Sequence, residues 1–172
     1  MGQITIPPKV KLIAGLLFND KIKYEDVINI LERNFGGIDC KSEIINFNFT
    51  DYYNKEMGVV IFRQYLAFKN LIDAVELADI KILTNKIEEE FSIDNKRNVN
   101  IDPGYIELGK LVLASTKNYT HRIYIGKGIF AEPTLQYYKK TYTKWPFSYP
   151  DYSNEKSVEF FNYVRSIYKQ QI

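Results

Sequence analysis

The fold is decided by a nearly continuous apolar run, Val10-Lys11-Leu12-Ile13-Ala14-Gly15-Leu16-Leu17-Phe18, which follows Pro7-Pro8. Apolar and polar residues do not alternate here, as they would in a strand that has one face in water. A short unbroken apolar run is typical of a strand that is covered on both faces. We therefore predict that Val10–Phe18 is a central, buried strand of a sheet.

Helices and strands alternate after this run. Tyr24–Phe35 and Asp73–Phe91 carry apolar residues at three- and four-residue steps, which is the spacing of a helix that buries one side. Glu43–Phe49 and Val59–Phe68 follow the two-residue period of strands, and Asn98–Ile101 is a further short strand. The order strand, helix, strand, strand, helix, strand is that of a ferredoxin-like split unit.

The rest of the chain extends this core. Gly104–Ser115 is predicted as a helix or two turns. His121–Ile125 and Ile129–Tyr138 are strands of a hairpin around Gly126-Lys127-Gly128, and Ser153–Gln171 is a terminal helix capped by Ser153. The predicted class is α+β, with a ferredoxin-like split βαββαβ core extended by a helix, a β-hairpin and a C-terminal helix. The length of 172 residues fits a single domain, 1–172, because domains commonly have about 100–200 residues.

Composition and charge indicate a soluble protein of a reducing compartment. The chain is 45% hydrophobic and 26% charged, and its net charge of +2 is too small to indicate nucleic acid. Cys40 is the only cysteine, so no internal disulfide can form. The sequence shows no signal-peptide pattern, and its apolar runs are shorter than the ~18 residues of a membrane span. We expect a cytoplasmic protein that does not bind a membrane, with its oligomeric state open.

Several cofactors are not expected. One cysteine and one histidine are too few for a zinc site of the Cys/His type. The sequence contains neither the Gly-x-Gly-x-x-Gly pattern of NAD-binding proteins nor the phosphate loop of common nucleotide hydrolases. Zinc, haem and NAD are therefore not predicted.

The distinctive polar residues lie mostly between Asn100 and Asp151. This stretch includes His121, the only histidine, and Glu132 in the following strand. If the hairpin closes over two residues, His121 faces Glu132, which could orient the imidazole for general acid–base catalysis. If it closes over three residues, Arg122 faces Glu132 and the two form a structural ion pair.

Asp102 also has two interpretations. Asp102-Pro103-Gly104 is typical of a turn in which the aspartate caps a helix. Alternatively, Asp102 lies at a strand end and points into a crevice with Lys110 or Lys117, which would contact an anion.

A magnesium site depends on convergence of three carboxylates. Asp51, like Asp102, lies at a predicted strand end, where the default interpretation is a turn. If Asp51, Asp102 and Glu132 meet, their oxygens would suit Mg²⁺.

Aromatic rings and lysines are interleaved over residues 137–152. The residues are Tyr137, Tyr138, Tyr142, Trp145, Phe147, Tyr149 and Tyr152, with Lys139, Lys140 and Lys144. Rings for stacking beside cations for phosphate are the elements of a single-stranded RNA platform. The alternative is that the rings pack the terminal helix onto the sheet while the lysines lie in water.

The chain resembles a known family along almost its whole length. The segments that carry the resemblance are Val10-Lys11-Leu12, Gly15-Leu16-Leu17, Phe49-Thr50-Asp51-Tyr52-Tyr53, Glu56-Met57-Gly58, Asn100–Tyr105, Lys110–Lys117, His121–Tyr124, Gly128–Glu132 and Trp145–Tyr152. They are similar to segments of the Domain of Unknown Function 4416 family (DUF4416). The resemblance implies a bacterial or archaeal cytoplasmic protein, and it implies no activity, cofactor or catalytic residue.

Three functions are consistent with these patterns. The first is an enzyme or binder for a phosphorylated or anionic small molecule such as a nucleotide, with His121, Glu132 and Asp102 as catalytic residues. Its ligand-binding residues would be Arg122, Lys110, Lys117, Asp51, Tyr149 and Asp151. The second is a single-stranded RNA-binding module that uses residues 137–152, and the third is a protein-interaction domain.

Overall fold

One antiparallel sheet of nine strands runs through residues 2–172, which the computed structural model describes. The strands are β1 (Val10–Asn19), β2 (Ile38–Lys41), β3 (Ile45–Asn46), β4 (Ile61–Ile72), β5 (Val99–Ile106), β6 (Lys110–Ser115), β7 (Ile123–Gly126), β8 (Ile129–Tyr138) and β9 (Thr141–Lys144). The helices are α1 (Tyr24–Phe35), α2 (Asn54–Met57), α3 (Leu77–Glu90) after a 3-10 turn at Ala74–Glu76, α4 (Pro150–Ser153) and α5 (Glu155–Gln171).

The strand β1 lies at the centre of the sheet. The spatial order is β2-β4-β1-β5-β6-β8-β7, with β3 paired to β4 and β9 paired to β8. Every residue of β1 is buried, as the unbroken apolar run predicts. The prediction of a central strand covered on both faces is therefore confirmed.

Helices cover both faces of the sheet. Leu12 and Leu16 of β1 pack in one cluster with residues of α1 and α3, whereas Ile13 packs in another with Phe161 and Val164 of α5. Successive residues of a strand point to opposite faces, so β1 contributes to both clusters. The core thus consists of two layers that share the sheet.

The α+β class is confirmed, and the sheet is larger than the four strands of the predicted ferredoxin-like core. Gly104–Ser115 is wrong as a helix or two turns, because it forms the end of β5 and all of β6. Leu111–Ala114 are buried without a break, which suits a strand covered on both faces. Glu43–Phe49 is a strand only at Ile45–Asn46, while β2 and β9 were not predicted.

Asn154, not Ser153, caps α5, because its side chain accepts a hydrogen bond from the Ser157 backbone amide. Within residues 2–172, no helix combines the length and the apolar character that crossing a bilayer requires.

The strands β5 and β6 separate beside Pro103. The predicted turn at Asp102-Pro103-Gly104 is wrong, because these residues lie inside β5 and pair with β1. Pairing with β6 is confined to Gly104–Ile106. Pro103 has no N–H to donate to a neighbouring strand, so the paired stretch ends next to it. The gap that follows determines where the candidate site lies.

We expect Gly104→Ala to destabilise the protein. An alanine Cβ would lie 2.3 Å from the carbonyl oxygen of Val112 and 2.7 Å from Cδ2 of Leu113, so β5 and β6 would have to move apart. The expected loss is about 1–3 kcal/mol in the free energy of unfolding, the usual cost of overpacking. Urea denaturation followed by circular dichroism measures it.

Gly109→Ala is the matched control in the same hairpin. Its Cβ would meet none of the described atoms within 4 Å, so the unfolding midpoint should stay close to that of the wild type. Equal midpoints for the two variants would contradict the close approach of β5 and β6.

Candidate functional site

A cavity of about 360 Å³ lies where the loop before α2 and the segment around α4 close over β4, β5, β6 and β8. We call it the aromatic cavity. Its ring-bearing lining residues are Phe47, Phe49, Tyr52, Tyr53, Tyr119, Tyr149 and Tyr152. Among these rings lie charged side chains of both signs, which the sequence places far apart and the sheet brings together.

Arg63 of β4 is a deeply buried cation of this cavity, with only 3% of its side chain exposed. Its Nη2 donates to Oδ2 of Asp151, and its Nη1 lies 3.8 Å from Oδ2 of Asp102. The Nε and Nη1 atoms are buried and have no hydrogen-bond partner among the described residues. An unpaired buried donor costs roughly 1–3 kcal/mol, so the guanidinium keeps unused hydrogen-bonding capacity at the cavity.

Gly15 of β1 makes room for this arrangement. It lies opposite Tyr65 on one side and Asp102 on the other. A Cβ at Gly15 would lie 2.1 Å from the hydroxyl oxygen of Tyr152 and 2.9 Å from Nη1 of Arg63. The Tyr152 hydroxyl is itself buried and without a partner in the described part of the chain. Because Gly15 has no side chain, the Tyr152 hydroxyl and Arg63 Nη1 can lie against the backbone of the central strand.

Burial determines the protonation of the groups around Arg63. Burial raises the pKa of the Asp151 carboxyl, while the Arg63 guanidinium opposes this shift. Burial likewise raises the pKa of Tyr152 well above its usual value, and it raises the pKa of Tyr53. Both tyrosines therefore keep their protons at neutral pH and can donate hydrogen bonds to a ligand.

Arg122 and Glu132 form a buried ion pair at another wall. Arg122 Nε donates to Glu132 Oε2 at 2.7 Å, and both side chains are 1% exposed. Arg122 Nη1 donates to Ser115 Oγ at 2.8 Å and to the Lys117 carbonyl at 2.9 Å, while Nη2 donates to the Tyr149 hydroxyl at 2.6 Å. Arg122 therefore fixes this wall of the cavity, and most of its N–H donors are already used in these hydrogen bonds.

His121 lies behind Glu132 and does not line the aromatic cavity. Its Nε2 is 3.2 Å from the same Glu132 oxygen, and its ring stacks on Phe147 with 4.1 Å between centroids. Gly126 pairs with Ile129, and β7 contains an irregularity before it. Ile123 pairs with Ala131 and Tyr124 with Phe130, a register that puts Arg122 opposite Glu132, as in the second interpretation. The side chain of His121 reaches the same carboxylate.

The other residues named from sequence divide into two groups. Asp102, Lys117, Tyr149 and Asp151 all line the aromatic cavity. Lys117 Nζ donates to the Tyr52 hydroxyl at 3.0 Å, and this hydrogen bond lowers the pKa of Tyr52.

Lys110 and Asp51 lie elsewhere. Lys110 pairs with Glu107 at the far end of β6, and Asp51 accepts a hydrogen bond from Asn54 at 2.8 Å. Asp51 therefore does not meet Asp102 and Glu132 in the cavity. Within residues 2–172, no group of three or more histidine, cysteine, aspartate or glutamate side chains is arranged to hold a metal ion.

The aromatic segment 137–152 contributes mainly to packing. Tyr142 and Tyr152 are 2% exposed and belong to the core cluster under α5. Of the seven rings, Tyr138 and Tyr149 are the exposed ones, and Tyr149 lines the cavity. Lys139, Lys140 and Lys144 are exposed, as both sequence interpretations require.

Arg63 and Gly15 are two of the site residues that sequence reasoning missed. Arg63 interrupts the apolar run of β4, and that charge inside a buried strand is the signal that could have identified it. A buried arginine needs a carboxylate partner, and its partner Asp151 is far away in the sequence.

We expect Glu132→Ala to destabilise the protein strongly, because it leaves Arg122 buried without a carboxylate. Breaking a buried ion pair costs about 3–5 kcal/mol. His121→Ala should cost about 1 kcal/mol or less, because Arg122 still neutralises Glu132. Urea denaturation at pH 7 measures both changes, and equal losses for the two variants would show that Arg122 is not the main partner.

Comparisons with known proteins identify the family. The model of the family described as a domain of unknown function, DUF4416, matches residues 8–168 of the 172-residue chain. No curated protein and no solved structure matches the chain. Because the match covers almost the entire sequence, this protein belongs to the DUF4416 family.

Proposed function

We propose that this protein binds a small organic anion with a planar ring, such as a nucleotide, in the aromatic cavity. The observation that carries the proposal is the set of buried, unpaired donors on Arg63 and Tyr152. An anionic oxygen that reached them would relieve the cost of their unpaired state, since bonds to charged groups are worth about 1.5–3 kcal/mol. Their contact with a ligand requires a local movement, because these atoms are buried in the free protein.

The pairing of the charged side chains leaves one cation of the cavity, Lys117, without a carboxylate partner in the lining. Asp151 is paired with Arg63, and Glu132 is paired with Arg122. Among the charged lining residues, this leaves Lys117 and Asp102 as the groups with the weakest pairing. Lys117 adds a second cation for the anionic group, and Asp102 can accept a hydrogen bond from a hydroxyl or amino group of the ligand.

The rings at the cavity provide surfaces for a planar group. Tyr52, Tyr149 and Phe49 are 63%, 41% and 36% exposed. Exposed aromatic side chains beside cations are suited to stacking with a heterocyclic base. A simple inorganic anion would leave these surfaces unused, so an organic anion fits the cavity better.

Asp102 is the residue placed to act on the bound molecule if the protein is an enzyme. Its carboxylate is 26% exposed and lines the cavity. We propose His121 and Glu132 as positioning residues, because His121 contacts the Glu132 carboxylate, Glu132 holds Arg122, and Arg122 holds Tyr149.

We also propose a ferredoxin-like split unit made of β2, β4, β1 and β5 with α1 and α3. The spatial order of these strands and the packing of both helices in one cluster support it. We further propose that the protein is located in the cytoplasm of a prokaryotic cell. Its single cysteine, Cys40, cannot form an internal disulfide, which is typical of proteins in a reducing compartment.

Tyr152→Phe tests the binding proposal, because it removes an unpaired hydroxyl and keeps the packing ring. The melting temperature of the free variant should not fall, since no hydrogen bond is lost. For a nucleotide that binds the wild type, the dissociation constant of the variant should be about tenfold higher, equivalent to about 1.4 kcal/mol of binding free energy. Calorimetric titration with nucleoside monophosphates, ribose 5-phosphate and orthophosphate measures this.

Tyr142→Phe is the matched control. Tyr142 is equally buried, but its hydroxyl donates to the Glu107 carbonyl at 3.0 Å, outside the cavity. This variant should lose stability and keep wild-type affinity. Binding of short RNA alone, or equal affinity of wild type and Tyr152→Phe, would contradict the proposal.

A further inference from the structure

A second cavity of about 360 Å³ lies beside the gap between β5 and β6. We call it the polar cavity. Asp102, Ser115, Lys117 and Tyr149 line both cavities. The two cavities are thus neighbours, and Asp102 stands where they meet.

Side chains of α3 keep the gap open. In a continuous sheet, β6 would pair with the outer edge of β5 beyond Gly104. Here Glu88 Oε1 accepts a hydrogen bond from the Ile101 amide at 2.7 Å, and Lys81 Nζ donates to the Ile101 carbonyl at 2.8 Å. Both side chains are buried. Lys81 and Glu88 thus form hydrogen bonds with the backbone groups of Ile101 that β6 would otherwise bind. The gap is therefore stabilised by specific contacts of the fold.

The polar cavity contains an unused donor. Asn100 is 5% exposed, and its Nδ2 has no hydrogen-bond partner in the part of the chain that the structure describes. Its Oδ1 accepts from Arg97 Nη1 at 2.8 Å, which fixes the orientation of the amide. A buried amide of this kind indicates a missing partner, which a bound molecule can supply.

The lining of the polar cavity suits hydroxyl groups. Lys81, Asn85 and Asn100 offer donors, whereas Glu88, Glu89 and Asp102 offer acceptors. A hydroxyl both donates and accepts, so it can satisfy such a mixed lining. The cavity is also lined by the cations Lys81, Arg97 and Lys117, which balance the carboxylates of Glu88, Glu89 and Asp102, so a neutral polar group suits this lining.

We propose that the polar cavity binds the sugar hydroxyls of the molecule whose anionic group lies in the aromatic cavity. This inference rests on the proposed function and makes it more specific, because the ligand is then a phosphorylated sugar with a planar ring. Asp102 accepts a hydrogen bond from one hydroxyl at the junction, the Asn100 amide donates to another, and the Asn85 amide of α3 offers a further donor to the same hydroxyls.

Matched ligands test this inference. Each ribonucleoside 5′-monophosphate is titrated into the protein beside its 2′,3′-dideoxy counterpart, which has the same base and the same charge. The dideoxy compound should bind at least tenfold more weakly, because a site built for hydroxyls discriminates against ligands that lack them. Isothermal titration calorimetry gives both dissociation constants.

Asn85→Ala is the variant of choice. Asn85 lines the polar cavity, and alanine is the better helix former, so the variant should fold. In this variant, the ratio of the dissociation constants of the dideoxy and the ribose ligand should fall to about threefold. Asn100→Ala is a second variant with the same expectation, and Lys86→Ala is the control, because Lys86 is exposed on α3 outside the cavity.

The outcomes separate the two proposals. Equal affinity of wild type for both ligands overturns the inference and leaves the proposed function standing. Unchanged discrimination in both asparagine variants also overturns it, because the hydroxyls would then bind elsewhere. Absence of binding by every nucleotide overturns the proposed function together with the inference.

Discussion

The buried ion pair between Arg63 and Asp151 holds the candidate site together, because it joins the sheet to the segment that closes over it. Asp151 also offers its backbone carbonyl, which accepts hydrogen bonds from the Tyr65 hydroxyl at 2.8 Å and the Ser157 hydroxyl at 2.6 Å. Asp151 thus positions both Arg63 and the start of α5. The packing of the C-terminal helix and the geometry of the cavity therefore cannot change independently.

The gap between β5 and β6 is a second constraint, and stability does not explain it. A buried ion pair often contributes no more than apolar residues of the same size, yet Lys81 and Glu88 are both buried beside the open edge of β5. Backbone pairing with β6 would satisfy the same strand edge without burying two charges. Pro103 removes one backbone donor from this edge, because it has no N–H, and Lys81 and Glu88 occupy the backbone groups of Ile101. The opening is consistent with the ligand binding that we propose.

Much of the fold could be predicted from periodicity, because strongly patterned segments bury the same faces whatever surrounds them. Tyr24–Phe35 is a helix as its spacing predicts, and Ile129–Tyr138 is a strand. Asp102-Pro103-Gly104 has the local pattern of a turn, but pairing with β1 holds it extended, and such pairing is invisible in a local window. Arg63 was missed for the same reason, because its role depends on Asp151, a partner distant in the sequence.

The site contains hydrogen-bond donors of two kinds, those that the fold already uses and those that it leaves without a partner. Arg122 is held by Glu132, Ser115 and Tyr149, so its position is set before any ligand arrives. Arg63 and Tyr152, by contrast, retain donors that no described residue uses. A preorganised wall lowers the cost of ordering side chains on binding, and the unpaired donors could form hydrogen bonds with the ligand that we propose. A purely structural cluster would need only the first kind, so the second kind is the stronger sign of a ligand.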